Sequence, residues 1–147
     1  MSSGALTFPR TSAARLVVDT DVASFIFKWH PIFAPTYVAI LRGSQLIISF
    51  MTLAEIRQGV LARDWSVRRR EVVEAYLKEF LLIQSDDNLC SAWAIVRSQS
   101  ARKGRPISAA DAWIAATALV LEAPLVTNNP RDYEQVEGLE LVSANPT

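Results

Sequence analysis

Short apolar runs alternate with amphipathic stretches along most of the chain. Five runs rich in Val, Ile and Leu predict buried strands over residues 15–19, 45–49, 81–84, 124–127 and 139–142. Between them, apolar positions recur at helical spacing, predicting helices over 21–29, 34–43, 52–65, 66–80, 86–104 and 108–123. This alternation predicts a three-layer α/β/α sandwich around a central, mainly parallel sheet of four to five strands.

The apolar positions of each predicted helix indicate which face is buried. Helix 108–123 is apolar nearly all round, so we expect it to be central. In the three helices before it, spacing assigns a larger set of side chains to the core: Leu53, Ile56, Val60 and Leu61; Val67, Val72, Val73, Tyr76 and Leu77; and Cys90, Trp93, Ala94 and Val96.

Length and composition indicate one folded domain of 147 residues, half of them hydrophobic. Residues 1–14 are small and polar and predict a flexible arm ahead of a domain over 15–147. Fifteen basic and 15 acidic residues balance, so net charge does not indicate a partner. With a single cysteine and no long apolar run, we expect no intrachain disulfide and no membrane span, and a cytoplasmic location.

Several acids lie where helices begin, and these have a purely structural interpretation. Thr52 and Glu55 have the spacing of a capping box, as do Ser108 and Asp111. Asp21 could cap the first helix. On this interpretation each acid stabilises a helix end and nothing more.

The alternative interpretation is a metal site. Asp19 ends an apolar strand, where a buried carboxylate is costly without a cation or hydrogen-bond donors. Asp111 begins the most apolar helix, and residues 127–129 follow the next strand. If the sheet is parallel, these groups meet at the edge where ligands bind in such folds. Clustered carboxylates favour a hard divalent cation, which prefers oxygen ligands.

Four segments resemble the PIN-domain ribonucleases and, within them, the VapC-type toxins of toxin–antitoxin pairs. These segments are "VVDTDV" at 17–22, "SFMTLAEIRQGV" at 49–60, "ISAADAWIAATA" at 107–118 and "LVTNNPRDYEQVEGLELV" at 125–142. The resemblance implies an endoribonuclease dependent on Mg²⁺ or Mn²⁺, with RNA as substrate, an antitoxin protein as partner and a homodimeric assembly.

The resemblance also implies roles for individual residues. The family's first three acids, which hold the metal, fall on Asp19, Glu55 and Asp111. Its fourth catalytic position falls on Asn129, where Asp is common, and this departure implies a weaker or absent second metal. Three further positions would support the site: Thr127, which would orient the first acid; Asp132, a recurrent acid; and Asp21, which replaces a common Asn and which we interpret as a helix cap.

Two further surfaces are candidates for binding. Arg102, Lys103 and Arg105 lie just before the Asp111 helix and could meet RNA phosphates, whereas the basic run 68–70 is typical of a solvated helix face. The stretch 24–33 is rich in aromatic residues. The resemblance implies a groove for the antitoxin near the early helices, and its candidate residues are Phe25, Phe27, Trp29, Phe33 and Trp65.

Two other functions compete with this one. The pair of acids at 19 and 21 resembles the nucleophile pair of haloacid-dehalogenase-like phosphatases, although no downstream Lys fits that pattern and Glu55 is unexplained. A PIN-like fold could also serve as a binding or trafficking module with little catalysis, its acids acting as caps.

Overall fold

The computed structural model describes residues 14–145. The arm expected over 1–14 therefore lies outside the described residues, apart from Ala14, and the proposed domain boundary stays a prediction. Five strands and six α-helices alternate along the described part. The strands are β1 (Arg15–Val18), β2 (Gln45–Ser49), β3 (Leu81–Ile83), β4 (Leu125–Val126) and β5 (Leu141–Val142). The helices are α1 (Thr20–Phe27), α2 (Phe33–Leu41), α3 (Phe50–Ala62), α4 (Val67–Leu77), α5 (Asp87–Arg102) and α6 (Ala109–Leu121).

The five strands form one sheet in the order β3-β2-β1-β4-β5, and every adjacent pair is parallel. The predicted strands are all present; β2 has the predicted bounds, and the other four are shorter than predicted at one or both ends. Strands β2 and β3 lie on one side of β1, and strands β4 and β5 lie on the other. The chain therefore reverses its winding between β1 and β4, and the crevice beyond the carboxyl ends of these two strands is the expected ligand site.

Both faces of the sheet are buried because side chains alternate along each strand. In β1, Leu16 and Val18 join one apolar core, while Val17 joins the other. Ile48 and Ile47 of β2 divide in the same way. The first core also holds side chains of α1 to α4, and the second holds those of α5 and α6. The predicted three-layer sandwich is confirmed.

Helix α6 is the central helix, as its composition predicts. Six of its residues are buried, from Ala112 to Ala118, and it packs against α5, α3 and the sheet. The alanines allow close approach to its neighbours. The helix ends at Glu122, whose φ of 52° lies in the left-handed region.

The predicted burial of three helices is wrong in part. Val67 and Val72 of α4 are 61% and 62% exposed, and Leu61 of α3 is 69% exposed. In α5 the buried positions are Leu89, Val96 and Ser100, whereas Cys90 is exposed. Ala94 is exposed as well. Helix α5 contacts mainly α6. Its stripe of buried side chains is therefore narrower than the spacing of its apolar residues predicts.

Candidate active site

Asp19 stands at the junction of β1 and α1 and caps the helix. Its Oδ1 accepts a hydrogen bond from the Thr20 backbone N–H at 2.8 Å, and its Oδ2 accepts one from the Thr127 hydroxyl at 2.7 Å. Burial raises the pKa of Asp19 to about 7, and the negative charge of Asp21 adds to the rise. The contact expected between Thr127 and the first acid is present, and it joins the ends of β1 and β4.

Asp21 is not the cap of α1, and this interpretation was wrong because the helix begins one residue earlier than predicted. Its Oδ1 accepts from the Val22 backbone N–H at 2.7 Å, and its Oδ2 accepts from the Asn128 backbone N–H at 3.1 Å. Burial is the main cause that raises the pKa of Asp21 to about 6. The carboxylate therefore ties the first turn of α1 to the loop after β4.

Glu55 reaches the same region from α3, and the capping box proposed for it is wrong. The helix begins at Phe50, and the cap is Ser49, whose hydroxyl accepts from the Met51 backbone N–H at 3.0 Å. Thr52 is therefore inside the helix and buried. Glu55 therefore takes no part in capping the helix, and its side chain is half-buried.

Two threonine hydroxyls hold the Glu55 side chain. The Thr20 hydroxyl donates to Glu55 Oε1 at 2.6 Å, and it lies 3.0 Å from the Thr52 hydroxyl. A hydroxyl carries one proton. Since the Thr20 proton goes to Glu55, the Thr52 proton must go to Thr20. The result is a directed chain of hydrogen bonds from Thr52 through Thr20 to Glu55.

Asp111 lies half-buried in the first turn of α6. The Ser108 hydroxyl accepts from the Asp111 backbone N–H at 3.0 Å, so Ser108 caps this helix as predicted. The Tyr133 hydroxyl donates to Asp111 Oδ1 at 3.1 Å. Burial raises the pKa of Asp111, and the charge of Asp132 adds to this effect. Burial, followed by the charges of Asp19 and Asp111, also raises the pKa of Tyr133, which keeps its hydroxyl protonated.

Asn129 and Asp132 complete the rim, and both are exposed. The Asn129 backbone N–H donates to the Thr127 hydroxyl at 3.0 Å, which leaves the amide side chain at the cavity edge. The cavity has a volume of about 360 Å³. It is lined by Asp19, Thr20, Asp21, Glu55, Gln58, Asp111, Asn129 and Asp132.

The chemistry of this lining suits a cation. Five of the eight side chains are carboxylates and none is basic. Like charges gathered in a partly buried cavity raise one another's pKa values, and a divalent ion would relieve that repulsion. Within residues 14–145, however, no three such groups are arranged as a ready-made metal site.

The basic residues predicted to meet RNA are partly neutralised. The Lys103 ammonium lies 3.0 Å from Glu137 and also donates to the Gln135 carbonyl at 2.7 Å. Arg105 lies 3.5 Å from Glu134 and contacts the Arg131 carbonyl, next to Asp132 of the cavity. Arg102 is exposed. The segment is thus close to the rim, but two of its charges are paired with the turn that follows β4.

The aromatic residues proposed for the antitoxin groove differ in exposure. Phe25 stacks on Phe33 at 4.9 Å between ring centroids, and Phe27 packs edge-on against Trp65 at 6.0 Å. These four are partly buried against the first core. Only Trp29 of the five is largely free, at 60% exposure. A separate groove of about 620 Å³ lies between α3 and α4, lined in part by Leu61 and Val67.

Four residues at the site were missed by the sequence analysis. Thr20 and Tyr133 contact the acids directly, Thr52 acts through Thr20, and Gln58 lines the cavity. A signal existed for two of them. Thr20 stands between the acids at 19 and 21, and Gln58 lies one helical turn after Glu55, on the same face. Tyr133 and Thr52 gave no such signal, because their contacts join residues far apart in the sequence.

Fold and cavity together define a doubly wound α/β protein with a carboxylate site at its switch point. A family model described as "PIN domain" matches residues 16–139, and the chain belongs to this family. The resemblance drawn from the four sequence segments is thereby confirmed, and the phosphatase alternative is set aside. No helix in the described residues is long and apolar enough to cross a membrane.

Known proteins similar to the chain agree with this assignment. It is 26% identical over 125 residues to "Ribonuclease VapC1" of Haemophilus influenzae (strain R2866), covering 84% of the chain and 93% of that protein. It is 28% identical over 125 residues to "tRNA(fMet)-specific endonuclease VapC" of Shigella flexneri, covering 85% and 94%. The fold matches that in a crystal structure of VapBC2 from Rickettsia felis bound to promoter DNA, with a TM-score of 0.78, 22% identity and coverage of 88% and 98%.

Proposed function

We propose that this chain is a metal-dependent endoribonuclease and the toxin of a toxin–antitoxin pair. The observation that carries the proposal is the convergence of Asp19, Asp21, Glu55 and Asp111 on one cavity at the switch point of the sheet. The names of the Haemophilus and Shigella relatives support RNA as the substrate. The reaction is hydrolysis of a phosphodiester bond.

Asp19, Glu55 and Asp111 are the side chains that would hold the cation, which we take to be Mg²⁺ or Mn²⁺. They come from β1, α3 and α6, so the site depends on three separate parts of the fold. When bound, a divalent cation supplies the positive charge that activates water and stabilises the leaving oxygen in phosphodiester cleavage. The donor set of oxygen atoms fits such a hard ion.

The chain's own residues orient the ligands and the substrate. Thr127 fixes one oxygen of Asp19, and the Thr52–Thr20 chain fixes one oxygen of Glu55. Asn129 contributes a neutral amide at the rim, whose N–H can donate to a phosphate oxygen. Asp132 lies at the same rim and would act on the site through its charge.

RNA would approach across the segment that carries Arg102, Lys103 and Arg105. Their ion pairs with Glu134 and Glu137 are exposed, and such pairs contribute little to stability. Phosphate groups can therefore compete for these side chains at small cost. Because the Arg105 side chain also contacts the Arg131 carbonyl, a strand bound here would pass beside Asp132.

The antitoxin would cover the face formed by α1 to α4. Trp29 is exposed there, and the apolar groove between α3 and α4 offers a second contact area. Aromatic residues together with arginine are typical of the centre of protein interfaces. We further propose a homodimer and, since the substrate is RNA, a cytoplasmic location.

The proposal is tested by Asp19→Asn, assayed for RNA cleavage in Mg²⁺ and in Mn²⁺. Loss of one charge from the cation site should lower cleavage by at least about a hundredfold, as expected when a metal ligand is lost. Asp86→Asn is the matched control, since Asp86 is also the N-cap residue of a helix but lies outside the cavity. Cleavage by Asp19→Asn at the rate of the control would contradict the proposal.

The remaining rival is a binding module with little catalysis. It predicts that the wild-type protein neither cleaves RNA nor gains thermal stability in millimolar Mg²⁺. The raised pKa values of Asp19 and Asp21 favour the metal site over simple caps, since a cap carboxylate gains from its charge, whereas these two are buried beside like charges.

A further inference from the structure

The segment after β4 turns sharply and presents two neighbouring residues to opposite environments. Pro130–Asp132 forms a short 3₁₀ helix that begins with proline, and the Tyr133 backbone N–H donates to the Pro130 carbonyl at 3.0 Å. Asp132 is exposed at the cavity rim. Tyr133 is 1% exposed. Because of this turn, the Asp132 side chain lies in solvent at the rim, and the Tyr133 side chain lies buried beneath the site.

Tyr133 is held rigidly because its ring belongs to the second apolar core. That core includes Ile114 and Ala115 of α6 together with Leu125 of β4. A buried aromatic ring packed on all sides has little rotational freedom. The hydroxyl at its tip therefore has a fixed position, from which it donates to Asp111 Oδ1 at 3.1 Å.

The orientation of the Asp111 carboxylate depends on such a hydrogen bond more than that of the other acids does. Asp19 accepts two hydrogen bonds that fix both of its oxygens. Asp111 is in a helix first turn, is half-buried, and lies near the charge of Asp132, which repels it. Without a donor on the protein side, that repulsion would favour rotamers that turn the carboxylate toward solvent.

We propose that Tyr133 is a positioning residue for the cation site, whose hydroxyl holds Asp111 Oδ1 and so directs Oδ2 toward the ion. This inference rests on the proposed metal-dependent function. Hydrogen bonds to metal-ligating carboxylates orient them, and their loss weakens metal binding. Tyr133 would contact neither the ion nor the RNA.

The chain offers a matched control in Tyr76. Its hydroxyl is also buried, but no hydrogen-bond partner for it exists among the described residues. Tyr76 packs against Phe27 and Phe80, in the first core rather than at the cavity. Tyr133→Phe and Tyr76→Phe therefore each remove a buried hydroxyl, and only the Tyr133 hydroxyl contacts an acid of the site.

The experiment is calorimetric titration of Mn²⁺ into the metal-free full chain, at a temperature well below every unfolding midpoint. Tyr133→Phe should raise the dissociation constant about tenfold, while Tyr76→Phe should leave it at the wild-type value. The Mn²⁺ concentration that gives half-maximal RNA cleavage should rise by a similar factor in Tyr133→Phe. Excess Mn²⁺ should then restore most of the cleavage.

Three results would overturn the inference, and they are distinguishable. If Asp19→Asn loses Mn²⁺ binding but Tyr133→Phe binds as tightly as wild type, the proposed function stands and the role of Tyr133 fails. A lower unfolding midpoint with an unchanged dissociation constant leads to the same conclusion, since Tyr133 would then serve only the fold. If the wild-type chain binds no Mn²⁺, the proposed function and the inference fail together.

Discussion

The two ends of α1 carry opposite chemistry, although the helix has only eight residues and is about 12 Å long. Its first turn adjoins Asp19 and Asp21. Its last residue, Phe27, is followed by Lys28, whose ammonium lies 6.0 Å from the Phe27 ring centre. Nearby, the Arg69 guanidinium lies 3.7 Å from the ring centre of Trp65. The balanced net charge of the chain conceals this separation.

Both ends of α1 hold like charges close together. At the acidic end, burial and neighbouring carboxylates raise the pKa values of Asp19 and Asp21. At the basic end, burial lowers the pKa of Lys28, with contributions from Arg63 and Arg69. Each cluster would gain from an opposite charge. The acidic end fits a divalent cation, and the basic end fits an acidic segment of a partner protein.

The two ends differ in how they are held. The oxygens of Asp19 and Asp21 accept hydrogen bonds from residues on either side of the sheet's switch point, including Thr127 and Asn128. The basic end is exposed and depends on packing of aromatic rings. We therefore expect substitutions at the acidic end to affect both stability and cleavage, and substitutions at the basic end to affect neither strongly.

Apart from replacement of the acids themselves, the largest effect is expected from Thr127→Val. This change removes the hydroxyl that donates to Asp19 and accepts from the Asn129 backbone N–H, while shape is nearly kept. An unsatisfied buried group costs about 1–3 kcal/mol, so the free energy of unfolding should fall by that amount. Cleavage should fall by roughly tenfold or more, because Asp19 loses its orientation.

The measurements for Thr127→Val are urea unfolding and the cleavage assay. Thr127→Ser, which keeps the hydroxyl, is the control and should retain most of the cleavage. Equal cleavage by the Val and Ser variants would show that the hydroxyl does not orient the acid.

The second prediction concerns the pH dependence of stability without metal. The folded chain raises the pKa of Asp19 from 3.8 to about 7 and that of Asp21 from 3.8 to about 6. Between pH 4 and 7, the unfolded chain has lost these protons while the folded chain keeps them, so raising the pH favours unfolding. The free energy of unfolding should therefore fall by about 1–3 kcal/mol from pH 5 to pH 8.

Thermal unfolding in a chelator, followed across this range, checks the pH prediction. Asp19→Asn should flatten the dependence, since the group with the larger shift is gone. Millimolar Mg²⁺ should raise the wild-type midpoint more at pH 8 than at pH 5, because the ion binds the charged carboxylates. A wild-type midpoint that rises steadily from pH 5 to pH 8 would contradict the assignment of these shifts.

The smallest effect is expected at Trp29, at the basic end. Trp29 is 60% exposed, and its φ of 52° lies in the left-handed region, which is costly for a bulky residue. Trp29→Asn should leave cleavage unchanged and change the free energy of unfolding by at most about 1 kcal/mol, toward higher stability, since Asn tolerates this conformation. A clear loss of stability in denaturant unfolding would show that the Trp29 ring supports the fold.

The convergence of the acids was predictable from the sequence because it follows from one rule. Parallel strands place their carboxyl ends at one edge, so Asp19 and Thr127 had to lie at the same edge if the sheet was parallel. The strand order was not predictable, since apolar runs of similar composition do not specify their neighbours. The helix starts were also misplaced by one or two residues, and this is why Asp21 was interpreted as a cap and a capping box was considered for Glu55.

Buried hydrogen bonds between side chains could not be predicted from the sequence, for a different reason. The bonds from Thr20 to Glu55 and from Tyr133 to Asp111 span 35 and 22 residues, and periodicity carries no information about such pairs. The exposure of side chains on α4 and α5 was predicted wrongly. The spacing of apolar residues shows which side of a helix is buried but not how wide the buried stripe is. The neighbouring element sets that width, and α5 contacts mainly α6.

The hydrogen bond between Thr127 and Asp19 joins residues 108 positions apart, and this has a consequence for how the protein is made. At typical synthesis rates, Thr127 follows Asp19 out of the ribosome's active centre by roughly 5–20 s. Until β4 is available, β1 lacks one of its two neighbours and the first acid lacks its partner. A nascent chain whose β4 has not yet emerged therefore has no assembled cavity, and a nuclease built this way cannot attack RNA near the ribosome before that strand emerges.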